Sequence, residues 1–314
     1  ISRSMSLAGI KHNLETIRNV ASATAEAKRI IREFKPDVAV GTGGYVCYPV
    51  LKAASQLGVP TAVHESNAVP GLTTKMLESS MDAVMVGFEE SRQNYRHPDR
   101  VVVTGTPVRL DFLKEDKLTA RRELGLPEDR PLVASVWGSL GAAHMNEIMA
   151  DFIVRACANP FFSLIHSAGK GGYKGMVETL EKEKPDYRER GMDVRDYIYD
   201  MPRVMAAADL VLCRAGASTL AELTAMGKPA VLIPSPNVTN NHQERNARVL
   251  EDAGGAQVLL EGEFTADSLL GLVSELLHRP ERLEAMSKAM KTLAVADSTE
   301  RIASLVLSLA GKGK

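Results

Sequence analysis

What the chain lacks narrows it first. Its three cysteines, Cys47, Cys157 and Cys213, are scattered through apolar runs, which fits a reducing compartment better than a disulfide framework. No apolar run approaches the ~18 residues that span a bilayer, and no signal peptide is visible. An excess of one charge is missing too: 38 Lys and Arg against 39 Asp and Glu leave a net charge of −1, so no global field favours nucleic acid and no such partner is expected. No histidine pair stands at metal-ligand spacing beside a supporting carboxylate or thiolate, so no structural or catalytic metal is expected. Neither G-x-G-x-x-G nor a P-loop with its lysine occurs, which counts against dinucleotide dehydrogenases and NTPases.

What is present is alternation. The chain has 314 residues, 45% hydrophobic and 25% charged, enough for about two soluble domains with their own cores. Short β-rich runs at 37–41, 61–64, 83–86 and 101–104 form one series, separated by helical patterns such as 49–57. Runs at 132–136, 163–166, 210–213 and 230–233 form a second, and an amphipathic helix over 299–310 ends the pattern. Such alternation specifies parallel sheets with helices on both faces. Between the series lies RLDFLKEDKLTARRELGLPEDRP, charged and proline-containing. We expect an α/β protein with two Rossmann-like domains facing a cleft, divided as 1–112 and 113–296, with 297–314 a helix packing back on the first domain.

The first 35 residues carry seven Lys or Arg and three Glu, a local charge of 7 − 3 = +4. Ile10, Leu14, Ile17 and Val20 recur at helical spacing within them. This stripe fits packing on the first domain, and equally a helix lying on an anionic membrane surface.

Two glycine-bearing turns follow strands and precede helices: VAVGTGGYVCYP with Gly41, Gly43 and Gly44, and LVASVWGSLGAAHMNE with Gly138, Ser139 and Gly141. Backbone N–H groups in such turns can hold a phosphate, although any strand-to-helix turn in this fold can require glycine. In VHESNAVPGLTTK, His64 with Glu65 suggests a general base and its partner, yet adjacent strand residues point to opposite faces, and a His64 bonded to backbone is the competing expectation. Val69-Pro70-Gly71 suits a tight turn with Gly71 at positive φ.

The stretch CRAGASTLAELTAMGKPAVLIP, 213–234, leaves an apolar strand through small residues and places one acid, Glu222, in the next helix, which Gly227 and Pro229 end. Thr219-Leu220-Ala221-Glu222 fits a capping box. A helix opening at the carboxyl end of a parallel strand also faces the ligand crevice of a doubly wound sheet, where a carboxylate can accept from ribose hydroxyls.

Taken together, DVAVGTGGYVCYPV, HESNAVPGLTTK, VVVTGTPVR, WGSLGAAHMNE, DLVLCRAGASTLAELTAMGKPAVLIP and NHQERNARVL resemble, in order and spacing, the MurG family of N-acetylglucosaminyltransferases of peptidoglycan synthesis. The resemblance runs from near residue 1 to the C-terminal helix. It implies a GT-B fold, and an inverting transfer from UDP-N-acetylglucosamine to undecaprenyl-diphospho-N-acetylmuramoyl-pentapeptide (lipid I), giving lipid II. It also implies no cofactor, a peripheral place on the cytoplasmic face of the bacterial plasma membrane, and a part in cell-wall biogenesis, cell shape and division.

By the same resemblance Glu222 takes the ribose hydroxyls, with capping and ribose each using one oxygen, and Ala217 and Ser218 open its helix. Gly138, Ser139, Leu140, Gly141 and Ala142 hold the diphosphate, and Arg109 reaches the same phosphates. The backbone at Ile198 reads uracil, while His242, Gln243 and Asn246 meet the sugar. His64 and Asn67, with Arg109, stand at the reacting centre, and Gly43, Gly44, Tyr45 and Asn67 form the acceptor-side loop. Ser66 stands where many members have Gln, and Tyr48 where Gly is frequent. Members of the family open with a strand and a G-x-G-G-H-x-x-P loop, whereas this sequence begins at Ile1; a fragment without that loop is the expectation. Two rival functions follow: another UDP-sugar transferase or epimerase of the same fold, or a donor-binding half that needs the loop supplied.

Overall fold

The computed structural model describes residues 7–138 and 142–312, and of residues 7–14, 17 and 312 it describes the backbone alone. The chain forms two compact units, Ile1–Thr106 with Asp297–Lys314, and Pro107–Ala296.

The first unit contains α1 (Leu7–Phe34), β1 (Ala39–Gly41), α2 (Cys47–Gln56), β2 (Thr61–Glu65), α3 (Leu72–Leu77), β3 (Ala83–Val86) and β4 (Val101–Val103). The second contains α4 (Leu110–Lys114), α5 (Lys117–Glu123), β5 (Leu132–Val136), α6 (Ala143–Ala156), β6 (Ser163–Ser167), α7 (Tyr173–Glu183), β7 (Met192–Arg195) and α8 (Met201–Ala207). It continues through β8 (Leu210–Cys213), α9 (Ala217–Met226), β9 (Ala230–Leu232), α10 (His242–Asp252), β10 (Ala256–Val258), α11 (Ala266–Leu277) and α12 (Pro280–Thr292). The last helix, α13 (Ser298–Lys312), belongs to the first unit.

Both sheets are wholly parallel, one ordered β1-β2-β3-β4 and the other β10-β9-β8-β5-β6-β7. Parallel strands covered on both faces read as continuous apolar runs, and β3 and β8 are buried at every residue. Alternate residues of β2 serve opposite layers, as the period of two requires. Val63 packs with Leu51, Leu77 and Val84, while Ala62 packs with Ala83, Met85 and Leu309 of α13. Within α1, Ala27 and Ile31 bury against Ala53 and Ala54; of the apolar stripe, Val20 is half-buried, and the side chains of Ile10, Leu14 and Ile17 lie outside the described residues.

The second sheet starts at β5 and grows outward through β6 and β7, then the chain returns to β8 beside β5 and continues to β9 and β10. This is the doubly wound order, and its topological switch lies between β5 and β8, where ligands of open parallel sheets sit. Two of its strands are absent from the sequence expectation: the edge strand β7, whose residues alternate buried and half-buried, and the edge strand β10, where only Ala256 is fully buried.

Candidate functional site

Everything at the switch point follows from two strand ends. Where β5 stops, Trp137 stays buried and Gly138 turns the chain at φ 96°, a conformation that glycine adopts without penalty. Where β8 stops, Arg214-Ala215-Gly216 leads into α9, whose N-cap is Gly216 with no side-chain bond to the helix. The two ends border a cavity of about 570 Å³, lined on other sides by Ala142, His144, Thr219, Ser235, Asn237, Gln243 and Glu261.

Arg214 is the fixed charge of this wall. Its Nη1 donates to the carbonyls of Ile233 and Pro234 at 3.1 and 3.2 Å and pairs with Glu261 Oε2 at 2.5 Å. Its guanidinium carbon stands 5.8 Å from the Trp137 ring centroid, within cation–π range. The other oxygen of Glu261 is 3.0 Å from His144 Nδ1. Burial pushes the Glu261 carboxyl up, but hydrogen bonds from Arg214 and His144 outweigh it and hold the group below its ordinary value.

Gln243, in the first turn of α10, accepts the Ser235 N–H on Oε1, and its Nε2 has no partner among the described residues. Asn246, one turn on and fully buried, donates to the Ala215 carbonyl and ties α10 to the loop before α9. His242 bonds Thr239 O through Nδ1 at 2.8 Å.

The capping expectation at Glu222 is overturned. The helix begins at Ala217, so Thr219 is already inside its first turn and Glu222 is its sixth residue, too far along to reach the orphan N–H groups. Gly227 does end the helix, in the left-handed conformation at φ 63°. Glu222 is half-buried, one turn beyond the cavity-lining Thr219. Burial pushes its carboxyl up from the ordinary value, and the Arg109 guanidinium opposes that push.

Of the residues expected on the donor side, Gly138, Ala142 and Gln243 line the cavity. Ala217 and Ser218 form the first turn of α9, half-buried and exposed respectively. Ser139, Leu140 and Gly141 lie outside the described residues. Ile198 is buried in the loop after β7, flanked by Tyr197 and Tyr199, whose rings meet edge-on 4.9 Å apart. Arg109 is exposed just before α4, 5.1 Å from the Phe112 ring centroid, and does not line the cavity. Sequence reasoning missed His144, Arg214 and Glu261. Arg214 carried a signal, a cation directly after an apolar strand, but the other two carried none.

In the first unit, His64 is 6% exposed with both ring nitrogens engaged: Nε2 with the Gly105 carbonyl at 2.8 Å and Nδ1 with Ser66 Oγ at 3.3 Å. The carbonyl accepts, so Nε2 carries the hydrogen and Nδ1 accepts from the Ser66 hydroxyl. Glu65 is not its partner. Its carboxylate organises the next loop, taking Asn67 N and Nδ2 on one oxygen and Gly71 N and Thr74 Oγ1 on the other. The expected tight turn with Gly71 at positive φ is replaced by an extended Gly71 (φ −65°) that opens α3. Gly43 and Gly44, at φ 85° and 78°, make the turn between β1 and α2, and Tyr45 beside them is 86% exposed.

Two parallel α/β units, one holding a polar cavity of ligand size at its strand switch point, define an enzyme of the GT-B class. Comparison with known proteins narrows the class. Residues 133–302 match the glycosyltransferase family 28 C-terminal domain and residues 3–86 its N-terminal domain. A protein of Acetivibrio thermocellus named UDP-N-acetylglucosamine--N-acetylmuramyl-(pentapeptide) pyrophosphoryl-undecaprenol N-acetylglucosamine transferase is 42% identical over 293 residues, 93% of this chain and 78% of its own. The crystal structure of Acinetobacter baumannii MurG superposes with a TM-score of 0.74 at 25% identity, covering 92% of this chain and 78% of that one. A UDP-GlcNAc 2-epimerase from Neisseria meningitidis, bound to UDP-GlcNAc, gives a TM-score of 0.65 at 14% identity over 98% of this chain and 84% of that one, a likeness of fold alone. The chain belongs to glycosyltransferase family 28, and within it to the MurG group.

Proposed function

We propose that the protein is a hexosyltransferase that moves N-acetylglucosamine from UDP-N-acetylglucosamine to lipid I, with inversion at the anomeric carbon. The observation that carries the donor half is the cavity at the β5/β8 switch point, with Gln243 in its wall and its Nε2 unpartnered among the described residues. That amide offers donors to sugar hydroxyl oxygens, and the neighbouring strand-to-helix turns offer backbone N–H groups to a diphosphate. Glu222 suits ribose because an acceptor-only group meets two hydroxyl donors. The chemical burden is charge growing on the departing UDP, which preorganised donors and cations stabilise. Arg109, Ser139 and the Gly138–Ala142 loop are assigned to the diphosphate, the Ile198 backbone to uracil, and His242 and Asn246 to the sugar side.

The acceptor half is assigned to the first unit, with His64, Asn67 and the Gly43–Gly44–Tyr45 turn at the reacting end. A groove of about 690 Å³ runs between α1, α2 and α3, lined by Val20, Tyr45, Tyr48, Leu72 and Met76 with Lys28 and Lys52. Apolar lining with two lysines matches a polyprenyl diphosphate and an anionic membrane surface better than a water-soluble acceptor. Among the described residues no helix is long and apolar enough to cross a membrane. The same reading gives the protein a peripheral position on the cytoplasmic face of the membrane, and residues 297–314 are assigned to the acceptor unit.

The test pairs calorimetry with UDP and a radiolabelled transfer assay with a lipid I analogue. UDP binding together with acceptor-dependent sugar transfer is expected. UDP release or epimer formation without acceptor would favour an epimerase-like activity, and UDP binding without any turnover would reduce the chain to a donor-binding module.

A further inference from the structure

We infer that His144 supplies the phosphate-facing cation of the donor cavity, with Glu261 holding its ring; this rests on the proposal that the cavity takes a nucleoside diphosphate sugar. Among the described residues lining the cavity, only Arg214, Glu261 and His144 carry ionisable groups besides Cys213, whose thiol burial keeps neutral. Arg214 and Glu261 face each other at 2.5 Å, and the same Nη1 is committed to two carbonyls. Their charges cancel, so the pair gives a dianionic ligand little net attraction. Arg109, assigned to the same diphosphate, lies outside this wall. Within the wall the remaining source of positive charge is His144.

The geometry fixes how that charge is presented. Glu261 Oε2 forms the ion pair with Arg214, and Oε1 meets His144 Nδ1. An ionised carboxylate only accepts, so Nδ1 carries a hydrogen and Nε2 is the open position. The His144 side chain is 54% exposed, and Nε2 has no protein partner among the described residues, so a ligand can reach it. Glu261 meets the ring from another segment, with Arg214 paired to its other oxygen, and Glu147 lies one turn on in α6. A diphosphate oxygen meeting Nε2 needs a donor there. With phosphate bound both ring N–H groups are used, one on Glu261 and one on phosphate.

The experiment is calorimetry on the full chain with UDP and with UMP, which differ by one phosphate. For His144→Gln, which keeps an amide but carries no charge, UDP affinity is expected to fall roughly five- to twenty-fold and UMP affinity no more than about two-fold. His144→Lys, which keeps a cation, should retain UDP affinity. Equal losses for UDP and UMP, or unchanged UDP affinity in His144→Gln, would overturn the inference alone. Failure of the unaltered chain to bind UDP would overturn the donor proposal, and this inference with it.

Discussion

Gln243 Oε1 accepts the backbone N–H of Ser235 at 2.9 Å, and this bond decides which end of the amide a ligand meets. With Oε1 turned to Ser235, Nε2 keeps its donors for a ligand, so position 243 offers hydrogen bonds to an acceptor. Replacing Gln243 with Ala should reduce the preference for UDP-N-acetylglucosamine over its C4 epimer by about ten-fold, because a site built to bond a hydroxyl penalises the analogue that misplaces it. The ratio of the two kcat/KM values measures this, and an unchanged ratio would remove Gln243 from sugar recognition.

Glu222 separates stability from binding. Its carboxyl is raised by burial above the ordinary 4.5, so the folded state holds a proton more tightly than the unfolded chain. Stability therefore falls as pH rises from about 4.5 through the folded value, and at pH 7.5 the carboxylate opposes folding. Glu222→Gln should raise the Tm of the free protein by roughly 1–2 °C, while weakening uridine binding about five- to fifty-fold. A lower Tm with unchanged uridine affinity would mean that the carboxylate serves the fold.

His166 predicts a pH response in the core. Burial pushes its imidazole down to about 3; Nδ1 bonds Ser135 Oγ at 3.0 Å and Nε2 is buried without a partner among the described residues. The unfolded chain takes up this proton from the ordinary 6.5 downward, so stability is lost as pH falls from about 6.5 toward 3, at up to about 1.4 kcal/mol per pH unit. Urea titrations at pH 7, 5.5 and 4.5 should show a shallower decline for His166→Asn than for the unaltered chain. Parallel declines would place the acid response elsewhere.

The groove on the first unit predicts lipid binding. Tyr45, Leu72 and Met76 are 86%, 59% and 45% exposed, and Lys28 and Lys52 line the same groove. Lys28→Glu should weaken binding to vesicles with about one-third anionic lipid roughly ten-fold, and added salt should shrink the difference. Tyr45→Ser should weaken binding at all salt concentrations. Binding that neither substitution alters would assign the groove to other work.

Much of the scaffold was legible because it is buried on both faces. The apolar runs of β3, β5 and β8 announce central parallel strands, and the glycines after β1 and β5 mark the turns that positive φ demands. The edges of the second sheet were not legible, since β7 (MDVR) is only half covered and its polar residues break the pattern. The capping box failed for a related reason: it is a spacing, and the chain satisfied the helix start at Gly216, three residues earlier. Gln243, which lines the cavity, was named through resemblance. His144 and Glu261 were not, because they stand 117 positions apart and only the return of the sheet from β5 through β8, β9 and β10 brings them together, which leaves no trace in local spacing.

Trp137 is the single tryptophan of the chain, and it lines the donor cavity beneath the Arg214 guanidinium. The protein's intrinsic fluorescence above the tyrosine band therefore originates at one address, the wall against which a nucleotide sugar would settle. Occupancy of that cavity, and any shift of the cation above the indole, can be followed in the unlabelled protein by its emission intensity and wavelength, without a reporter group being added near the site.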